Sequence, residues 1–203
     1  MKKNIALISI AYFLLSAICV NAQKLKITNG NLDFLKDSKS ILVKYDYSNM
    51  TVGKVTENEY LTKKSEELNQ KEAGRGDKWK VMWAEDRKKR FEPKFEELFN
   101  KVIADKGVTA TQNSSDAKYI MTIYTTWTEP GFYVGVSSKP ALITGKIDFI
   151  SVSEPKKQLA EIEFINSPGN SMGATWDTGE RIKESYAKLG KSLASFLIKN
   201  KVF

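Results

Sequence analysis

The side chains of this chain that could do chemistry are carboxylates, lysines, tyrosines and serines. The sequence holds no histidine and a single cysteine, Cys19. Ser-His-Asp and Cys-His nucleophilic sites are therefore excluded, and so are zinc sites built from Cys and His. General acid–base work would fall to Asp, Glu, Lys or Tyr. A carboxylate pair for glycan hydrolysis would draw on Glu129 and Asp177, although Asp177 also suits a helix cap. Ser153-Glu-Pro-Lys156 and Ser185-Tyr-Ala-Lys188 both match Ser-x-x-Lys. Two hits in one chain, without the companion Lys-Thr-Gly and Ser-Asp-Asn motifs, show how little that spacing selects. Walker and Rossmann glycine patterns are missing, as is calcium-loop spacing, so the sequence points to no cofactor and no metal.

Two groups of residues suggest surfaces instead of chemistry. Trp79, Trp83, Arg87, Lys88, Lys89 and Arg90 set tryptophans beside a basic run. Such a group can mark a membrane-surface element, and basic residues are equally favourable in the last turn of a helix. The second group is Phe132, Tyr133, Met172 and Trp176, apolar residues on two glycine-rich loops, 130–140 and 167–177. Grouped at one end of a sheet they form a partner-binding or ligand-binding rim, or else they fold back as a cap on the core. Arg75-Gly-Asp77 spells a known adhesion tripeptide, which a helix break with an N-cap at Asp77 explains as well.

The elements that must position these residues centre on 91–128. Phe95, Leu98, Phe99, Val102 and Ile103 follow the i, i+3, i+4, i+7, i+8 pattern of one helix face. Pro93 suits the first turn and Gly107 the left-handed stop. A short strand follows over 108–111. Tyr119 to Trp127 is the strongest strand signal, with apolar odd positions Tyr119, Met121, Ile123 and Trp127. Strands are also expected over 24–30 (at an edge), 40–47, 141–152 and 159–165, where Ala160, Ile162 and Phe164 turn inward and Glu161 and Glu163 outward. Segment 48–55 reads as loop. Thr56-Glu-Asn-Glu59 is a capping box opening a helix to about Ala73, Trp79, Met82 and Trp83 share a face of a short helix, and Asp177-Thr-Gly-Glu180 opens the last helix. The short connections between strands 118–129, 141–152 and 158–166 make them an antiparallel meander, so both glycine-rich loops leave one end of the sheet.

Lys2 and Lys3, the apolar run from Ile5 to Val20, and Val20-Asn-Ala22 read as a secretory signal over residues 1–22. Residues 23–203 then form a single domain, periplasmic or secreted, with no transmembrane segment in the mature chain. Ile18 before Cys19 departs from a lipobox, and cleavage after Ala22 leaves no cysteine for a disulfide. Formal net charge is +8, and removing Lys2 and Lys3 leaves +6. Export argues against nucleic acid. Solubility, anionic headgroups or acidic glycans account for the charge.

Lys106-Gly-Val108, Asp116-Ala-Lys-Tyr119 and Tyr186-Ala-Lys-Leu-Gly-Lys191 lie in an element order that resembles the amino-terminal domain of TolB and the periplasmic core of CsgG-like envelope modules, over roughly residues 91–200. The Lys-rich chain with its signal ending at Ala22-Gln23 also resembles secreted proteins of the Bacteroidetes. The resemblance implies a fold alone, and with no long amphipathic hairpin it does not carry pore formation. The expectation is an α/β (α+β) two-layer sandwich, an antiparallel-dominated sheet of about five strands with helices on one face. Its function is expected to be a non-enzymatic envelope or secreted binding or assembly module with an envelope protein partner, its oligomeric state open. A carboxylate-dependent glycan hydrolase and a membrane-surface-associated protein stand as the alternatives.

Overall fold

The computed structural model describes residues 23–169 and 176–203. The signal segment 1–22 and Met172 lie outside the described residues. In chain order the strands and helices are β1 (Lys24–Gly30), β2 (Ser40–Asp46), β3 (Thr51–Val52), β4 (Val55–Thr56), α1 (Glu57–Lys71), α2 (Arg75–Asp86), α3 (Glu92–Val102), β5 (Thr109–Thr111), β6 (Tyr119–Glu129), β7 (Phe132–Tyr133), β8 (Ser138–Lys139), β9 (Ala141–Ser151), β10 (Gln158–Gly169) and α4 (Thr178–Lys199).

The expectation of about five mainly antiparallel strands is corrected. Among the described residues the main sheet is mixed and has eight strands, ordered β1-β10-β9-β6-β2-β5, with β3 beside β6 and β4 beside β3. β2 runs parallel to both β5 and β6, and β3 runs parallel to β6. The meander β6-β9-β10 is antiparallel, and β1 closes its edge antiparallel to β10. The parallel part arises because α1, α2 and α3 all lie between β2 and β5, and such a long crossover returns the chain in the same direction. Strands of two or three residues show no periodicity, so β3 and β4 read as loop.

The meander strands alternate. Met121 and Ile123, Ile147 and Phe149, and Ile162 and Phe164 face the helices and are fully buried. Against them α4 lays Ile182, Tyr186, Leu189 and Leu193, and α3 adds Phe95 and Phe99. Fully burying one such side chain is worth roughly 1.5–3 kcal/mol. The opposite face keeps Thr122 and Tyr124, Lys146 and Asp148, and Glu161 and Glu163.

Several local readings change. α2 opens at Arg75 rather than at an Asp77 cap, because Gly74 turns left-handed at φ +77°. Gly76 then lets the two helices meet: a Cβ there would lie 2.0 Å from the Ser65 carbonyl oxygen. Met82 is exposed while Trp79 and Trp83 turn inward. α2 does not stop before α3 but runs on through a wide five-residue π turn, Arg87–Phe91. In β6 the register against β9 slips between Thr125 and Trp127. Thr125 therefore stays inside, bonded to the Tyr186 hydroxyl at 2.7 Å, and Trp127 leaves the core face to donate to the Gly53 carbonyl at 2.8 Å. The capping box of α1 is formed: Glu59 N–H donates to Thr56 Oγ1, and Thr56 N–H donates back to the Glu59 carboxylate.

No helix among the described residues is long and apolar enough to cross a membrane.

Candidate functional site

Strand directions bring the two glycine-rich loops to one end of the sheet. β6 ends there at Glu129, β9 begins there at Ala141, and β10 finishes at Gly169 opposite Ala141. Between β6 and β9 the segment read as loop forms a small two-stranded ribbon, β7 with β8, pairing Phe132 with Lys139 and Tyr133 with Ser138. Val134 N–H donates to Ser137 O at 2.9 Å and Gly135 takes φ +82°, closing the tip.

Three contacts set the ribbon's base. Arg181, in the first turn of α4 and 7% exposed, donates from Nε to the Pro130 carbonyl at 3.0 Å and from a terminal nitrogen to the Gly131 carbonyl at 3.3 Å. Burial lowers its pKa, against the pull of Asp177. Lys139 pairs with Glu129 at 3.1 Å, and Glu129 also accepts from Gly131 N–H. Gly131 sits at φ +64° in the angle between the strands.

On this base the rim residues meet. The rings of Tyr133 and Trp176 are edge to face, with centroids 4.8 Å apart. The sequence reading that the two loops converge is thus seen for this pair. Trp176 is nonetheless 71% exposed, Phe132 43%, Val134 55% and Val136 fully exposed. Val134 and Val136 were not picked as site residues in the sequence reading, where valines in a Pro/Gly-bounded stretch were the available signal.

The second group is placed differently. Trp79, Trp83 and Tyr60 form a cluster of three rings between α1 and α2. Trp83 Nε1 donates to Glu57 at 2.6 Å, and Arg87 pairs with the same carboxylate while lying 4.4 Å from the Tyr47 ring centroid. Lys89 pairs with Glu85. Arg90 bridges Asp86 at 3.0 Å, Asp177 at 2.6 Å and Glu180 at 3.5 Å. Lys88 remains beside the buried Glu92, whose pKa is raised by burial and which Lys88 draws back down. The tryptophans and both arginines thus join helices to one another, while Lys88 and Lys89 are exposed.

The candidate acids Glu129 and Asp177 each hold a structural position. Asp177 caps α4, accepting from the Gly179 and Glu180 amides, and takes the Arg90 ion pair. Burial opposes ionisation, but the Arg90 and amide hydrogen bonds outweigh it and hold the carboxyl below its usual range.

A different carboxylate pair stands on the open sheet face. Lys146 Nζ lies 3.3 Å from Asp148 and 2.8 Å from Glu161, and Thr28 donates to Glu161 at 2.7 Å. The Lys146 hydrogen bond pulls Glu161 down to about 2, while burial pushes Asp148 up. Outward charges at alternate positions of consecutive strands were the sequence signal for it. A small cavity of about 10 Å³, the size of one water, lies between Tyr47, Trp83, Arg87, Phe91 and Tyr186. Among the described residues no cluster of three or more acids suits a metal ion.

No family model and no curated protein matches this chain. Solved structures similar to it include the PelC dodecamer from Paraburkholderia phytofirmans in space group P6, at 10% identity and TM-score 0.39, over 83% of this chain and 96% of that one. A variant of the same PelC dodecamer in space group C2 gives 12% identity and TM-score 0.41, over 87% and 96%.

Proposed function

We propose that this chain is an exported, non-enzymatic binding or assembly module of the cell envelope or secreted space, and that it contacts an envelope component through the β7–β8 ribbon and Trp176. The observation that carries this reading is the Tyr133–Trp176 contact. It joins two segments far apart in sequence, yet leaves Trp176 and the ribbon's apolar side chains in solvent. Side chains that merely capped the core would be buried by it; Val136 and Trp176 are not. Export is supported by the basic start, the apolar run and the small-residue end of 1–22.

The test is capture of native envelope by tagged 23–203, beside a Phe132→Ser/Trp176→Ser variant. Both positions are exposed, so the melting temperature should hold within the effect of a surface change, about 0.5 kcal/mol each. The reading stands if the wild type captures envelope material and the variant does not. Equal capture by both, or capture by neither, leaves the rim without a role.

A second reading, carboxylate-dependent glycan hydrolysis, is favoured by Asp148 and Glu161, which stand directly opposite each other on adjacent strands with Lys146 between them and whose pKa values shift in opposite directions. It requires turnover in a glycan screen that Asp148→Asn abolishes while the fold persists.

A further inference from the structure

The rim's surroundings indicate which envelope component it meets. Lys24 opens β1 opposite Ile165 of β10, so β1 starts at the same end as the ribbon.

The side chains at this end suit a bilayer surface. The ribbon follows the last β6–β9 pair, Glu129 with Leu142, and its turn carries exposed Val134 and Val136, with Phe132 exposed on the strand before them. Exposed apolar side chains on a hairpin turn can insert among headgroups without a preformed pocket to receive them. Tyr133 and Trp176 stand together behind the turn, and tyrosine and tryptophan are the residues whose apolar bodies and polar tips favour the membrane interface. The turn between β3 and β4 reaches the same end, because Gly53 N–H donates to Thr128 O at 2.8 Å, and it presents exposed Lys54 and Val55.

Charge at this end is biased the same way. Lys24 and Lys54 are exposed and take part in no ion pair among the described residues. Of the acids nearby, Glu129 pairs with Lys139, and Asp177 and Glu180 pair with Arg90, with Lys183 also on Glu180; Glu59, in the first turn of α1, is exposed and bonds Thr56. Asp46, at the end of β2, accepts from Ser48.

We infer that the rim is a lipid-facing surface, on which the β7–β8 tip and Trp176 insert among anionic headgroups with Lys24 and Lys54 at their flanks. This rests on the rim reading above and names its target. Apolar insertion and lysine attraction are separable contributions, which gives the test two independent arms.

The experiment is co-sedimentation of 23–203 with protein-free vesicles, of phosphatidylcholine alone and of phosphatidylcholine with phosphatidylglycerol. Tryptophan quenching by brominated lipid supplies the second readout. Binding to the anionic vesicles is expected, with quenching that Trp176→Phe removes. Lys24→Gln and Lys54→Gln should each weaken binding about five-fold, and added salt should weaken it further. Val134→Asp/Val136→Asp should abolish insertion with an unchanged melting temperature, since both sites are exposed. Absent vesicle binding, or binding indifferent to the valine change, overturns the inference. If envelope capture still needs Phe132 and Trp176 while vesicles are ignored, the rim serves a protein partner and only the lipid assignment falls. If both assays are blank, the rim reading falls with it.

Discussion

Arg181 and Pro130 lie 51 residues apart and are joined by a 3.0 Å hydrogen bond from a buried guanidinium to a backbone carbonyl. The same guanidinium reaches the Gly131 carbonyl and the Thr178 hydroxyl. α4 therefore holds the ribbon through Arg181, and the rim's geometry depends on a residue outside it. Arg181→Met keeps the stem's packing and leaves the Pro130 carbonyl without its buried donor. The expected cost is about 2 kcal/mol, read as a lower urea midpoint. Faster hydrogen exchange at the Val134 amide should accompany it, as the ribbon loosens first.

Gly131 and Gly135 separate backbone strain from collision. Both take positive φ, where a Cβ costs roughly 1–2 kcal/mol. A Cβ on Gly131 would also lie 2.2 Å from the Lys139 carbonyl oxygen, whereas one on Gly135 meets nothing within 4 Å. Gly131→Ala should therefore destabilise more than Gly135→Ala and disturb the near-ultraviolet dichroism of the Tyr133–Trp176 pair. Equal effects would show that the contact with Lys139 is relieved without cost.

Gly190 poses a choice of sign. Alanine in mid-helix usually gains about 1 kcal/mol over glycine. Here its Cβ would come within 2.5 Å of the Phe95 carbonyl oxygen, where α3 crosses α4. Overpacking against backbone costs about 1–3 kcal/mol, so Gly190→Ala should lower the melting temperature. A rise would mean that the helices can separate freely.

The elements with strong periodicity were legible: α3, α4, the meander and the capping box all follow from residue spacing. The convergence of the two loops was legible as well, since antiparallel order fixes which connections share an end. Pairings between distant segments were not, because nothing local in Ile41 or Val43 marks β2 as a parallel neighbour of β6. The slip at Thr125–Trp127 was hidden for a related reason. A bulge reverses the alternation after it, and Gly145 opposite, with room for no Cβ against the Tyr124 carbonyl, reads in sequence as an ordinary glycine. The partners of the tryptophan–arginine group were not legible, because composition cannot show that Glu57, in another helix, takes both Trp83 and Arg87.

Glu92 is 5% exposed, and burial raises its pKa. A carboxyl raised on folding carries a penalty in its charged form, so the penalty is absent at low pH and grows as pH rises past the ordinary carboxylate range. Glu92→Gln keeps an acceptor for the Tyr47 hydroxyl, 3.4 Å away, without the charge. The variant should equal the wild type in acid and exceed it in urea midpoint at neutral pH. A variant less stable at neutral pH would mean that the charge attracts Arg87 or Lys88 more strongly than burial opposes it.

Glu161 behaves in the opposite sense. Its folded carboxyl titrates at about 2 against an ordinary 4.5, chiefly through the hydrogen bond from Lys146. The stability it contributes is complete above pH 4.5 and is lost as pH falls toward 2. Asp177, also depressed, adds to that loss, whereas Asp148, raised by burial, is relieved as it protonates and offsets part of it. Glu161→Gln should thus be less stable than the wild type at neutral pH and equal to it near pH 2, flattening the acid limb of a urea-midpoint profile. Lys146→Met should flatten the same limb, and the double variant should add little to either single change, because the two side chains share one interaction. Additive effects, or an acid limb unchanged in Glu161→Gln, would place the acid sensitivity at Asp177 and its Arg90 pair.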